Sequence, residues 1–87
     1  MAYVYILLSE KTSAYYIGSC NDIEERLRRH NAGHSLSTRK GIPWKLVYQK
    51  VFATKSEAMK EEYRIKSQKS RLYIEKLISV KIEHPDL

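Results

Sequence analysis

The sequence predicts an α+β fold: a small three-stranded antiparallel sheet flanked by about three helices, in the order β-β-α-β-α-α. Three observations predict it. Two short aromatic and β-branched runs, residues 3–8 and 15–19, are joined by a polar link, the pattern of an antiparallel hairpin. A third strand-like run follows at 44–52, and the remaining segments carry helix caps and apolar stripes at helical spacing. At 87 residues the chain has material for one thin core and two packed layers.

The elements follow in order. In the first strand Val4, Ile6 and Leu8 share one face and Tyr3, Tyr5 and Leu7 the other. In the second, Tyr16 and Gly18 face one way and Tyr15 and Ile17 the other, with Gly18 expected to leave backbone open beside Tyr5 and Tyr16. A helix begins near Asn21 or Asp22, where Asn21 and Glu24 have capping-box spacing, and runs to about Asn31. Gly33 suits the left-handed position that closes a helix. Residues 33–43 read as a loop of small, hydroxyl and basic residues, and Trp44–Phe52 as the third strand. Thr54 with Glu57 is a cleaner capping box for a second helix to about Gln68, and Ser70 can cap a third. One domain is expected over residues 1–80, with 81–87 a short, flexible C-terminal tail.

Composition narrows the class of partner. Sixteen Lys and Arg against ten acids give a net charge of +6, which favours a polyanion, and nucleic acid is the commonest one in the cytoplasm. The single cysteine, Cys20, cannot make an internal disulfide; it reads as a small filler, since nothing basic is placed to activate it. No apolar run reaches the length of a membrane span and no signal-peptide pattern opens the chain, so a cytoplasmic protein is expected.

Two charged residues fall where carbon belongs. With Ile23 as zero, Leu27 lies at about +40°, His30 at about −20° and Arg26 at about −60°, on or beside the stripe that faces the sheet, while Arg28 and Arg29 point to solvent. Arg26 is either a boundary arginine with its stem along the core or a functional group. In the second helix, with Ala58 as zero, Ile65 lies at about −20° and Glu62 at about +40°, inside the apolar arc; Glu57 and Glu61 lie to the solvent side. A carboxylate there is costly unless it is paired, neutral or bound to a cation. Three readings stay open: a salt bridge, with Arg26 as one partner; a neutral carboxyl; or a ligand for a hard divalent ion.

Together these residues resemble the GIY-YIG nuclease superfamily, its small stand-alone bacterial members above all. The first motif stands here as Tyr3-Val4-Tyr5 and the second, intact, as Tyr16-Ile17-Gly18. The arginine of the first helix falls on Arg26, a histidine one turn later on His30, and the later-helix glutamate on Glu62. The resemblance spans residues 2–78; the chain departs from some members in having no Asn beyond Asn31.

The resemblance implies that Tyr5, Tyr16, Arg26, His30 and Glu62 converge on one side of the sheet as a catalytic set. It implies a divalent-metal-dependent endonuclease that hydrolyses DNA phosphodiester bonds, structure-selective and serving repair or recombination. Glu62 would hold one Mg²⁺ or Mn²⁺, Arg26 would contact the phosphate, and Tyr5 would orient the attacking water. His30 would act as relay or support. Backbone contacts with DNA are expected from Lys11, Arg28, Arg29, Thr38, Arg39, Lys40 and Lys45, with little sequence specificity. The alternatives are a nucleic-acid-binding module of the same fold without useful independent activity, and a catalytic subunit that needs a homodimer or a partner protein for specificity.

Overall fold

A computed structural model describes residues 1–83. Its elements are β1 (Ala2–Ser9), β2 (Tyr15–Cys20), α1 (Ile23–Asn31), a single 3-10 turn over Arg39–Gly41, β3 (Trp44–Phe52), α2 (Lys55–Ser67) and α3 (Arg71–Glu83). This is the predicted β-β-α-β-α-α order. The third helix takes in 81–83, which the sequence reading assigned to a tail; 84–87 lie outside the described residues.

The sheet is antiparallel with β1 in the middle, in the order β2-β1-β3. On the β2 side Tyr5 faces Gly18 and Leu7 faces Tyr16. On the β3 side the register slips between Ile6 and Leu7, which pair with Tyr48 and Leu46 and leave Val47 as the extra residue of a bulge.

Because β1 is apolar on both faces, both must be covered, and each gets its own core. Ala2, Val4 and Ile6 pack with Ala58 and Ile65 of α2 and Ile74 of α3, flanked by Tyr15 and Ile17. Tyr5, Leu7 and Trp44 form the opposite core with Tyr16, Cys20, and Ile23 and Leu27 of α1. Val4, Ile6, Leu7 and Ile65 are fully buried, each worth about 1.5–3 kcal/mol of apolar transfer.

Local chemistry sets the helix ends. The cap of α1 is Asp22, whose carboxylate accepts from the Glu25 amide at 3.1 Å, one residue later than the Asn21–Glu24 pairing expected from spacing. Asp22 has the extended backbone (φ −148°) that lets its carboxylate turn back onto the first turn. At the other end Gly33 sits at φ +81°; its amide donates to the His30 carbonyl and the His34 amide to that of Arg29. That paired return closes the helix and aims His34 back over its last turn. Thr54 and Glu57 form the predicted reciprocal cap of α2, and Ser70 Oγ accepts from the Tyr73 amide at the start of α3.

Candidate active site

The α1 face carries a buried polar chain. Tyr5 is 1% exposed, and its ring lies flat across β2 over Gly18; a β-carbon on that glycine would stand 2.5 Å from Tyr5 Oη. Gly18 is therefore required for space. It does not leave backbone open, as the sequence reading held; the phenol fills the gap and reaches past the strand to His30. Tyr5 Oη lies 3.1 Å from His30 Nε2, and His30 Nδ1 lies 2.9 Å from Thr38 Oγ1.

Thr38 Oγ1 is also 3.5 Å from the Ser35 carbonyl, which can only accept. One buried hydrogen-bonded chain thus holds His30 between Tyr5 and Thr38. Burial lowers the pKa of His30 first, and the positive charges of Arg26 and Arg29 lower it further. Burial likewise pushes the Tyr5 phenol up to about 12, although the Arg26 guanidinium beside it pulls the other way. Tyr5 thus holds its proton at neutral pH. Its phenol is buried inside the fold against His30.

Thr38 must be removed from the expected DNA contacts. It is 1% exposed and committed to His30, and its carbonyl accepts from Trp44 Nε1 at 2.8 Å. Asn31 closes the same corner by gripping the Trp44 backbone, accepting from its amide at 2.6 Å and donating to its carbonyl at 3.0 Å.

Glu62 stands on the other side of the sheet, because α2 covers the Val4–Ile6 face. The expectation that all five residues converge on one side is corrected here: Tyr5, Tyr16, Arg26 and His30 share the α1 face and Glu62 does not. The two halves meet at the edge of β2 through Ser19. From below, Ser19 Oγ donates to Glu62 Oε1 at 2.7 Å. From above, Arg26 Nη1 donates to the Ser19 carbonyl at 3.5 Å. The remaining oxygen of Glu62 takes Lys66 Nζ at 2.6 Å, so its salt-bridge partner is Lys66 one turn on and not Arg26. Glu61 was expected in solvent, yet its side chain is only 15% exposed; Arg64 pairs with it at 2.6 Å and holds its pKa down.

Ser19 was not singled out from sequence, although a signal existed. It continues the Tyr15–Ile17 face, so a hydroxyl on an apolar strand face matches a carboxylate on an apolar helix arc, and each answers the other.

Arg26 lines two clefts. One, with Tyr16, Arg29, His30, His34 and Ser35, opens on the α1 side; the other, with Ser19, Cys20, Asn21 and Lys55, opens at the end of β2. Tyr16 is half-buried there, its ring edge-on to His30 at 4.9 Å, and so is the more accessible of the two phenols. His34 was also missed, and the closing turn at Gly33 is what carries it to the cleft.

Of the other expected DNA contacts, Arg29 is exposed in the first cleft. Arg28 is exposed but paired with Glu25. Arg39 and Lys40 are exposed on the 3-10 turn. Lys11 lies on the β1–β2 turn, at the far end of β2 from Ser19, and Lys45 on β3, the opposite edge. Neither adjoins the Arg26–Ser19–Glu62 junction. Burial raises the pKa of the half-buried Cys20 thiol, which keeps it protonated.

The sequence matches the family model described as the GIY-YIG catalytic domain over residues 1–76. The chain belongs to the GIY-YIG family. Its Tyr3-Val4-Tyr5 and Tyr16-Ile17-Gly18 motifs are thus the two paired strands just described, and GIY-YIG is a nuclease family. Similar proteins include a UPF0213 protein of Bacillus pumilus, 43% identical over 79 residues (86% of this chain, 80% of that one). A UPF0213 protein of Staphylococcus saprophyticus is 46% identical over 66 residues (75% and 79%). The solution NMR structure of a UPF0213 protein from Bacillus halodurans superposes with a TM-score of 0.59 at 37% identity, covering 93% of this chain and 86% of that one. No helix among the described residues is long and apolar enough to cross a membrane.

Proposed function

We propose that this protein is a divalent-metal-dependent DNA endonuclease, structure-selective and acting in DNA repair or recombination. The observation that carries this reading is the junction at Ser19, where a guanidinium from one face of the sheet and a carboxylate from the other meet at an accessible edge. A phosphodiester would meet Arg26 directly and Glu62 through a bound cation. Arg26 offers a planar fork to the non-bridging oxygens.

Glu62 suits a hard ion of the Mg²⁺ or Mn²⁺ type. Its side chain is 21% exposed, and among the described residues no cluster of three or more His, Cys, Asp or Glu surrounds it. One carboxylate with water and substrate phosphate completing the shell is how Mg²⁺ is commonly held. A bound ion would neutralise charge developing on the phosphate and the leaving oxygen. Lys66 would have to leave Glu62 for an ion to bind there.

Tyr16 is the phenol that orients the attacking water, being the accessible one. Tyr5 and His30 are positioning residues. The Tyr5–His30–Thr38 chain fixes the ring over Gly18 and with it the floor on which Arg26 rests. Arg29, Arg39 and Lys40 supply sequence-independent backbone contacts that weaken with salt.

The test uses labelled nicked and branched DNA with Mg²⁺ or Mn²⁺, comparing wild type with Arg26→Ala and Glu62→Gln. Each substitution should lower the cleavage rate by on the order of 10²–10³-fold, the scale of losing one preorganised charge contact. Cleavage that survives both would sink the assignment. Binding without cleavage on any substrate would favour a module that holds nucleic acid without cutting it.

A further inference from the structure

Tyr63 is 75% exposed and Met59, one helical turn before it, 52% exposed. An exposed apolar residue is ordinary alone; these two stack at i and i+4 on one helix face. With Ala58 as zero on α2, Glu62 lies at about +40°, Lys55 at about +60°, Met59 at about +100° and Tyr63 at about +140°. Tyr63 and Met59 therefore continue the flank that already carries Glu62 and faces the β2 edge.

Two further observations fix the occupant. Met59 and Tyr63 line a shallow groove with Lys55, Ser56 and Lys60, so flat apolar surface is bordered by ammonium groups. Lys55 also lines the cleft that holds Ser19 and Arg26, so the groove and the candidate active site share Lys55 as a common wall. A ligand for this track needs a flat π face at one end and a chain of negative charge leading away from it. An unpaired nucleotide has both.

We infer that Tyr63, backed by Met59, is a stacking platform for an unpaired nucleobase of a nucleic-acid strand whose backbone passes Lys55 on its way to Arg26. This rests on the proposed nuclease function and names what would make it structure-selective. An intact duplex offers no free base face to Tyr63, whereas a flap, branch or frayed end does. The aromatic ring tolerates any base, because each has a π face.

The test is fluorescence anisotropy with a labelled oligodeoxyuridine, an oligouridine of the same length and a blunt duplex of two annealed strands, in chelator so that nothing is cut. Tyr63→Ala should weaken single-strand binding roughly 5- to 100-fold, the range for losing one base stack, and leave duplex binding unchanged. Tyr63→Phe should bind like wild type, since the ring remains. An equal loss with both oligomers assigns the site to the base alone; a loss with only one adds sugar recognition to the same stack. Single-strand affinity unchanged in Tyr63→Ala overturns the inference. So does a wild-type dimer in sedimentation that Tyr63→Ala renders monomeric at unchanged single-strand affinity, which would make the face a subunit contact. Because cleavage plays no part in the measurement, loss of the nuclease reading and loss of the platform are read separately.

Discussion

The two faces of the sheet are built from the same central strand on opposite principles. Under α2 and α3 the interior is carbon: Ala2, Val4 and Ile6 against Ala58, Ile65 and Ile74. Under α1 a hydrogen-bonded line of Tyr5, His30 and Thr38 runs through the packing, with every buried side-chain polar atom among the described residues satisfied. The dry face is held mainly by apolar packing. The wet face is specified atom by atom, because an unmet polar group in it costs the full desolvation penalty. The groups proposed to act on a phosphate sit in neither interior. They stand at the margin where the two faces come together.

The largest expected effect breaks the dry face. Ile65→Ala, at a position 1% exposed, should cost about 2–5 kcal/mol in denaturant unfolding through lost burial and the cavity left behind. Destabilisation below about 1 kcal/mol would mean that α2 is not anchored there.

Next comes the wet face. Gly18→Ala forces a methyl into the Tyr5 ring and should cost about 1–3 kcal/mol, the usual range for overpacking. The pairing of Tyr5 with His30 should be lost with it, which near-ultraviolet circular dichroism would register. Unchanged tyrosine signals would argue that the ring does not cross at Gly18.

The smallest effect distinguishes the faces by titration. His30 has a folded pKa below its unfolded value, so the unfolded chain binds the proton more readily. Stability contributed by neutral His30 is complete above about pH 6.5 and drains away as pH falls from there toward the folded pKa. Unfolding free energy followed from pH 7 to 5 should fall in wild type and fall less in His30→Gln. Equal slopes would show that His30 does not carry the dependence.

How much of this was legible in the sequence depends on the range of the interaction. The strands, their faces and the Thr54 cap were readable because periodicity and capping are settled within a few residues. Glu62 was readable as misplaced for the same reason. Its partner Lys66 was readable too, at i+4, and was passed over for the more distant Arg26. By contrast, the commitment of Thr38 to His30 depends on a loop folding back over α1, and hydroxyl residues in such loops look alike in sequence whether they face water or a buried imidazole. The division of the site between two faces was hidden for a related reason. Alternation along β1 says that both faces are covered, not which helix covers which. Only the strand order and the crossing of α2 decide that Glu62 comes from below.

The position of β3 at the edge of the sheet has its own consequence. An edge strand offers unpaired backbone to any passing chain, and sheets grow into aggregates by that route. Here that edge carries exposed Lys45 and Lys50, and the bulge at Val47 breaks its line. Two such strands brought together would set ammonium against ammonium and mismatch their ladders. Lys45 and Lys50 are therefore expected to work against edge-to-edge association, whatever else the positive charge serves.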